Sequence, residues 1–429
     1  MEITVVDSIM GSGKTSAMLN HINATPEKSY IYVTPFLDEV DRVIHATRGR
    51  FRQPHPYGKS KIEALRELLA AGADIATTHA LFWMVTPEII QLIKEGCYTL
   101  ILDEELDTLR EYNEAVKGIP NKAVYKGTVE WLIGKGHMTV SDSYQATWTD
   151  MWHGGYQYSE VQKYASMGIL RCVNGALFLE FPIEAIQAFE EVFVLTYLFD
   201  GSQLASYMRI HGLTYTKMSA SGEGQRSHLC PYTDSADERR KISDLIDIYD
   251  GALNQIGRKA SAFSVSWSKD LKSERLKRLK NDMWRYRRSV GAIASAGVMW
   301  TATKQEDFWK KLERTKGFKY VRKLTAEEKA LSDKDKAKKK LMCFVPCNAR
   351  ATNDFHDRTV LLYLLNRYLD PDVEKYYSRL GCPISKDTFA LSEMLQWIWR
   401  SAIRDGKPIH IYVPSCRMRQ LLRAWLAGA

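Results

Sequence analysis

The chain has 429 residues, a net charge of +9 from 60 Lys and Arg against 51 Asp and Glu, and 45% hydrophobic residues, enough for two or three domains with sizeable cores. No apolar run reaches the roughly 18 residues of a membrane span, and the N-terminus lacks the basic start and long apolar stretch of a signal peptide, which points to the cytoplasm. The seven cysteines are scattered, with only Cys343 and Cys347 close together, as expected of buried thiols in a reducing compartment and not of disulfides or a zinc site.

Thr4-Val5-Val6 is a short β-branched run that leads into SIMGSGKTS at residues 8–16. A helix is expected to begin at Thr15. Strand, glycine loop and helix in that order form the context of a phosphate-binding loop. Gly11, Ser12, Gly13, Lys14, Thr15 and Ser16 would cradle a nucleoside triphosphate, with N–H groups of the loop and helix start facing phosphate oxygens. Lys14 would neutralise the outer phosphates and Thr15 would bind Mg²⁺. The pattern G-x-x-x-x-G-K-[ST] has glycine at its first position, where this chain has Ser8, a small residue at the loop entrance.

Tyr30–Val33, Asp74–Ala76 and Thr99–Leu102 read as further strands, with helical stretches such as 62–71 between them. This alternation predicts a parallel α/β sheet, whose ligands gather beyond the carboxyl ends of the strands. Those ends carry Thr34-Pro35, Thr77-Thr78-His79 and Asp103-Glu104-Glu105. Asp103 would hold Mg²⁺, and Glu104 would polarise the water that attacks a γ-phosphate. Phe193–Leu195 is another strand, ending in Thr196-Tyr197. The stretch 106–189 is less regular, with Asn174-Gly175 as a hairpin turn.

Residues 221–240 have turn composition and read as a linker between a first domain, 1–220, and a second, 241–429. Residues 269–288 hold nine Lys and Arg against three Asp and Glu. Leu279, Met283, Tyr286 and Val290 follow helical spacing there, which gives a basic amphipathic helix. Its charged side is either a solvated face or a phosphate-backbone track. Met299-Trp300 and Met342–Val345 read as strands of a second α/β sheet, with Thr301, Lys304, Asn348, Arg350 and Thr352 at or after their ends. In 390–406, Leu391, Met394, Leu395, Ile398 and Ala402 fall on one helical face and Gln396, Arg400 and Arg404 on the opposite one. Arginine forks on an anchored helix suit γ-phosphate oxygens.

In order, SIMGSGKTS, VTPFLDEV, TTHALF, LILDEE, VLTYLFDGS, VMWTATK, NARATN and QWIWRSAIR resemble the motif series of superfamily-two helicases. They are closest to the DEAD/DEAH-box-like proteins of bacteriophages and mobile elements. The resemblance spans nearly the whole chain. It implies two tandem RecA-like domains with ATP·Mg²⁺ in the cleft between them. Gln396, Arg400 and Arg404 would then be γ-phosphate sensors or arginine fingers. Thr34, Pro35, Thr77, Thr78, His79, Thr301, Lys304, Asn348, Arg350 and Thr352 would line the nucleic-acid track or couple it to ATP. Two features depart from the family pattern: Arg400 and Arg404 are four apart instead of three, and Leu195-Thr196-Tyr197-Leu198 stands where a Ser-Ala-Thr-like motif is usual. With only residues 1–7 ahead of Ser8, no adenine-reading glutamine segment precedes the loop, and loose base selectivity is expected.

The expected activity is an ATP-dependent nucleic-acid translocase or helicase, monomeric and without a membrane partner. The residues themselves do not separate DNA from RNA; the replication or recombination setting that the resemblance implies favours DNA and protein partners from those processes. Two other readings share part of the pattern. A DNA-packaging ATPase has the loop and the paired acids, but also acidic metal ligands in its second half. A nucleic-acid-binding regulator would have a vestigial ATP cycle.

Overall fold

In the computed structural model the described residues are 1–55, 58, 60–118, 122–149, 156–292, 295–321, 324–333, 335–336, 342–347 and 354–428. The apolar runs of the first half become a sheet. Its strands are β1 (Glu2–Asp7), β2 (Ser29–Thr34), β3 (Ile75–Thr78), β4 (Tyr98–Asp103), β5 (Glu191–Thr196), β6 (Thr216–Ser221) and β7 (His228–Pro231). The spatial order is β7-β6-β1-β5-β4-β2-β3. All pairs are parallel except the antiparallel β6–β7 edge. β1, β2 and β4 are buried along almost their whole length, as befits parallel strands covered on both faces. The helix Lys14–Ala24 covers one face, burying Ala17, Met18 and Ile22 beside Tyr30, Tyr32 and Ile101. Register places Asp7 opposite Thr196, and Leu195 opposite Asp103. The ends of β1, β5 and β4 therefore lie side by side.

Two stretches differ from their sequence reading. The described residues of 106–189 form a small packed body. It contains an antiparallel sheet of Leu109–Glu111, Ala176–Glu180 and Leu170–Val173, a hairpin of Met138–Val140 with Ala146–Trp148, and a core that includes Tyr112, Val129, Leu132 and Val161. The turn at Asn174-Gly175 is present, with φ of 51° and 82°, as a primed hairpin turn requires. Residues 221–240, read as a linker, contain β7 and the start of the helix Ala236–Ser243.

The chain divides into two compact units. The first is Met1–Ser8, Ser12–Thr233 and Leu369–Ser385; the second is Ile9–Gly11, Asp234–Tyr368 and Lys386–Ala429. A piece of the second half of the chain, with the helix Pro371–Arg379, thus belongs to the first unit. Its anchor is a buried polar cluster. The Tyr376 hydroxyl donates to Glu180 Oε1 at 2.8 Å, Arg171 pairs with Oε2 of the same carboxylate, and His211 Nε2 lies 3.5 Å from Oε1. Burial pushes the Glu180 carboxyl up, but His211, Arg171 and Tyr376 outweigh it and hold it below the ordinary carboxylate range. A carboxyl lowered by folding stabilises the native state above its unfolded value of about 4.3 and loses that contribution as pH falls through the folded value. The denaturant midpoint of the first unit should therefore fall with pH below about 4.3, and Glu180→Gln should flatten that fall.

In the second unit, β8 (Ile246–Ile248), β9 (Val298–Ala302), β10 (Val360–Leu364) and β11 (Ile409–Tyr412) form a parallel sheet in the order β8-β11-β10-β9. Only β9 has a counterpart in the sequence reading; β8, β10 and β11 have none. The strand expected at Met342–Val345 is reduced to a parallel bridge between Phe344 and Trp300. The basic helix is present as Ser273–Ser289, with Leu279, Met283 and Tyr286 buried. Among the described residues no helix is long and apolar enough to cross a membrane.

Candidate functional site

The end of β5 ties two loops together. Ser8 N–H donates to the Thr196 carbonyl at 3.1 Å, and Glu104 N–H donates to the Leu195 carbonyl at 3.0 Å. The phosphate loop after β1 and the acidic turn after β4 are thus held by adjacent residues of one strand. Ser8 has a structural task there that glycine could not perform. It is buried, and its hydroxyl accepts the Ala220 N–H at 2.9 Å. Ser8→Ala should leave that buried N–H unpaired and lower stability by about 1–3 kcal/mol, measurable by chemical denaturation.

The loop itself is built for close approach. Gly11 and Gly13 have φ of 83° and 85°, a conformation suited to anion-binding nests of backbone N–H groups. A Cβ on Gly13 would meet Gly222 O at 3.1 Å and Ser227 Oγ at 3.0 Å. The 222–227 turn is fastened to the first helix, since the Asn20 amide donates to the carbonyls of Gly224, Gln225 and Ser227 at 3.2, 3.3 and 2.8 Å. The stretch read as a linker therefore buttresses the phosphate loop. Ser12 Oγ is buried and has no hydrogen-bond partner among the described residues. Ser16 is half-buried at the helix start.

Lys14 Nζ donates to the Ser8 carbonyl at 2.5 Å. The Thr15 hydroxyl is 3.5 Å from Asp103 Oδ2, so loop and acid meet. These oxygen donors suit a hard cation such as Mg²⁺. Burial pushes the Asp103 carboxyl above its usual range, against the Tyr32 hydroxyl, Arg42, Lys14 and Thr15, which pull it down. Tyr32, absent from the sequence reading, donates to Asp103 Oδ2 at 2.8 Å. The signal for it was the inward alternation of Tyr30 and Tyr32 along β2. His79 Nε2 lies 3.1 Å from the Asp103 carbonyl; the carbonyl only accepts, so Nε2 carries the proton. Glu104 sits at φ 66°, an uncommon conformation for a non-glycine residue, at the point where the chain leaves β4. Beside it, the Thr196 hydroxyl donates to Glu105 Oε1 at 3.0 Å.

The remaining candidates are more dispersed. Thr34, Thr77 and Thr301 are buried, and the hydroxyls of Thr34 and Thr301 have no hydrogen-bond partner among the described residues. Pro35 is half-buried and Lys304 is exposed. Thr78 caps the helix His79–Phe82 by accepting the Leu81 N–H. Asn348, Arg350 and Thr352 lie outside the described residues. The continuous helix expected over 390–406 ends earlier, since Lys386–Ile398 is helical and 402–405 form a separate 3₁₀ turn. The Ser401 hydroxyl takes the Ile398 carbonyl at 2.6 Å, and such a side-chain bond competes with helix continuation. Gln396 is half-buried on the helix and Arg404 is exposed beyond it. Arg400 is buried, with Nη1 donating to the Cys347 carbonyl at 3.2 Å.

Comparison with known proteins bears on the family and the fold. Residues 240–426 match the model of the YonV C-terminal Rossmann-like domain. The SPbeta prophage-derived protein YonV of Bacillus subtilis (strain 168) is 33% identical over 435 residues, which cover 99% of this chain and 98% of that protein. A solved XPD helicase superposes with a TM-score of 0.54 at 12% identity, covering 99% of this chain and 95% of that one. Xpd4 of S. tokodaii gives a TM-score of 0.47 at 13% identity over 99% and 94% of the two chains. At such identity the XPD likeness concerns the fold, which is that of helicase RecA-like domains.

Proposed function

The chain belongs to the YonV family of prophage-derived proteins, and on that premise we propose that it is an ATP-driven translocase or helicase that acts on DNA in the host cytoplasm. The observation that supports this most is the meeting of Lys14, Thr15 and Asp103 at the joined ends of β1 and β4. Lys14 neutralises the outer phosphates of ATP, and loop N–H groups hold the rest. Thr15 and Asp103 would hold Mg²⁺, which would supply charge stabilisation to the phosphates. Glu104 orients the attacking water. Arg400, with Gln396 and Arg404, senses the γ-phosphate. Loss of that phosphate then changes the grip of the strand-end residues on the nucleic acid, so that binding and hydrolysis alternate two states. A grip on phosphates implies little sequence preference and strong salt dependence. The protein works as a monomer alongside replication or recombination proteins.

A forked duplex with a single-stranded tail tests the proposal. Strand separation should require ATP and stop with a non-hydrolysable analogue. Hydrolysis with neither separation nor movement along the strand would refute it.

A further inference from the structure

The second unit carries a groove that the nucleotide-site reading does not use. The helix Ser273–Ser289 is fixed by Tyr286, whose ring stacks on Tyr412 at 5.1 Å and meets Tyr249 edge-on at 5.5 Å. Its Glu274, Lys277, Arg278, Asn281 and Arg285 then line one side of a groove of about 580 Å³, with Gln255 and its neighbours on the other side. The three cations are exposed. Asp282, also lining the groove, is only 5% exposed. Arg278 Nε forms an ion pair with its Oδ2 at 3.7 Å, too long for a hydrogen bond, and among the described residues that oxygen receives none. Asn254, next to Gln255 in the chain, has a buried Oδ1 that is likewise unpaired.

An unpaired buried polar atom costs about 1–3 kcal/mol, so each one in a native protein calls for an explanation. The groove has two needs at once. Its three cations outnumber Glu274 and Asp282 and suit a polyanion, while the buried carboxylate oxygen has room for an N–H donor. An acidic peptide meets the first need, but it sets its carboxylates beside Glu274 and Asp282 and has only backbone N–H groups to offer the second. A nucleic-acid strand meets both, through phosphodiesters and base amino groups; a carboxylate accepts from the cytosine amino group. Arg278 and Arg285 are separated by about 10 Å along the helix at 1.5 Å per residue, so they can contact different phosphates of one strand. A base edge is free to reach a buried carboxylate only when it is not already paired.

We propose that this groove holds a single strand of nucleic acid, with phosphates on Lys277, Arg278 and Arg285 and a base amino group on Asp282. The site is distinct from the strand-end residues to which the reading above assigns the track, and it adds a preference for cytosine over thymine. The test is fluorescence anisotropy of the full chain with labelled oligo-dC and oligo-dT, without nucleotide, so that its failure leaves the ATP site standing. The combined variant Lys277→Glu, Arg278→Glu, Arg285→Glu, altered only at exposed positions, should weaken binding at least about tenfold and reduce the log–log salt slope by about 2, at 0.7 per phosphate. Asp282→Ala should abolish the preference for oligo-dC while oligo-dT binding persists. Unchanged affinity and slope in the charge-reversal variant would overturn the strand site. A dC preference that survives Asp282→Ala would overturn the base contact. Tighter binding of an oligo-glutamate peptide than of either oligonucleotide, lost on charge reversal, would make the groove a protein-docking site instead.

Discussion

Lys14→Ala should abolish nucleic-acid-stimulated ATP hydrolysis while leaving the fold intact. The lysine belongs to a loop whose shape depends on other residues: on Gly11 and Gly13 for positive φ, on the Ser8–Ala220 bond, and on the Asn20 clasp of the 222–227 turn. Removing the ammonium deletes a bond to the Ser8 carbonyl and the positive charge beside Asp103. It does not remove the hydrogen bonds that shape the loop. Phosphate release and a denaturation curve on the same preparation separate the two effects. Turnover at the wild-type rate would refute the assignment of the site.

Arg400→Ala should lower turnover by about 10³-fold, with ATP affinity largely kept, if the residue acts as an arginine finger. The structure makes this a sharp test, because Arg400 also has a plain packing role through its bond to the Cys347 carbonyl. A packing residue would lower the denaturation midpoint and leave the turnover of the folded fraction unchanged. A finger would lower turnover at a temperature where the variant is fully folded. Arg400→Lys keeps the charge but loses the planar fork, so a finger role predicts that lysine rescues little. Single-turnover hydrolysis beside equilibrium nucleotide binding distinguishes these cases.

The parallel sheet of the first unit was legible because buried strands read as continuous apolar runs with chemistry at their ends. Lys14, Thr15 and Asp103 were visible for the same reason, and the structure brings them together. Less visible were residues whose role depends on neighbours distant in sequence. Ser8 looked like a deviation from a motif until Ala220 N–H was found on its hydroxyl. Tyr32 stood only within a predicted strand, whereas its hydroxyl donates to Asp103. β7 escaped because an antiparallel edge strand with half-exposed residues has no apolar signature. The segment 369–385 belongs to the first unit through Tyr376 and Tyr377, which reach Glu180 and Thr108, and no shift in composition marks that crossing. The helix before Arg400 was extended too far because periodicity carries no account of a serine that caps a carbonyl.

The central claim, that the phosphate loop and Asp103-Glu104 drive a nucleic-acid motor, is tested most directly by the steady-state rate of ATP hydrolysis. The rate should be measured alone and with single-stranded DNA, single-stranded RNA and duplex, with Lys14→Ala as background. The account predicts hydrolysis that single-stranded DNA stimulates most and that vanishes in the variant. A rate indifferent to every nucleic acid, or equal in Lys14→Ala, would contradict it.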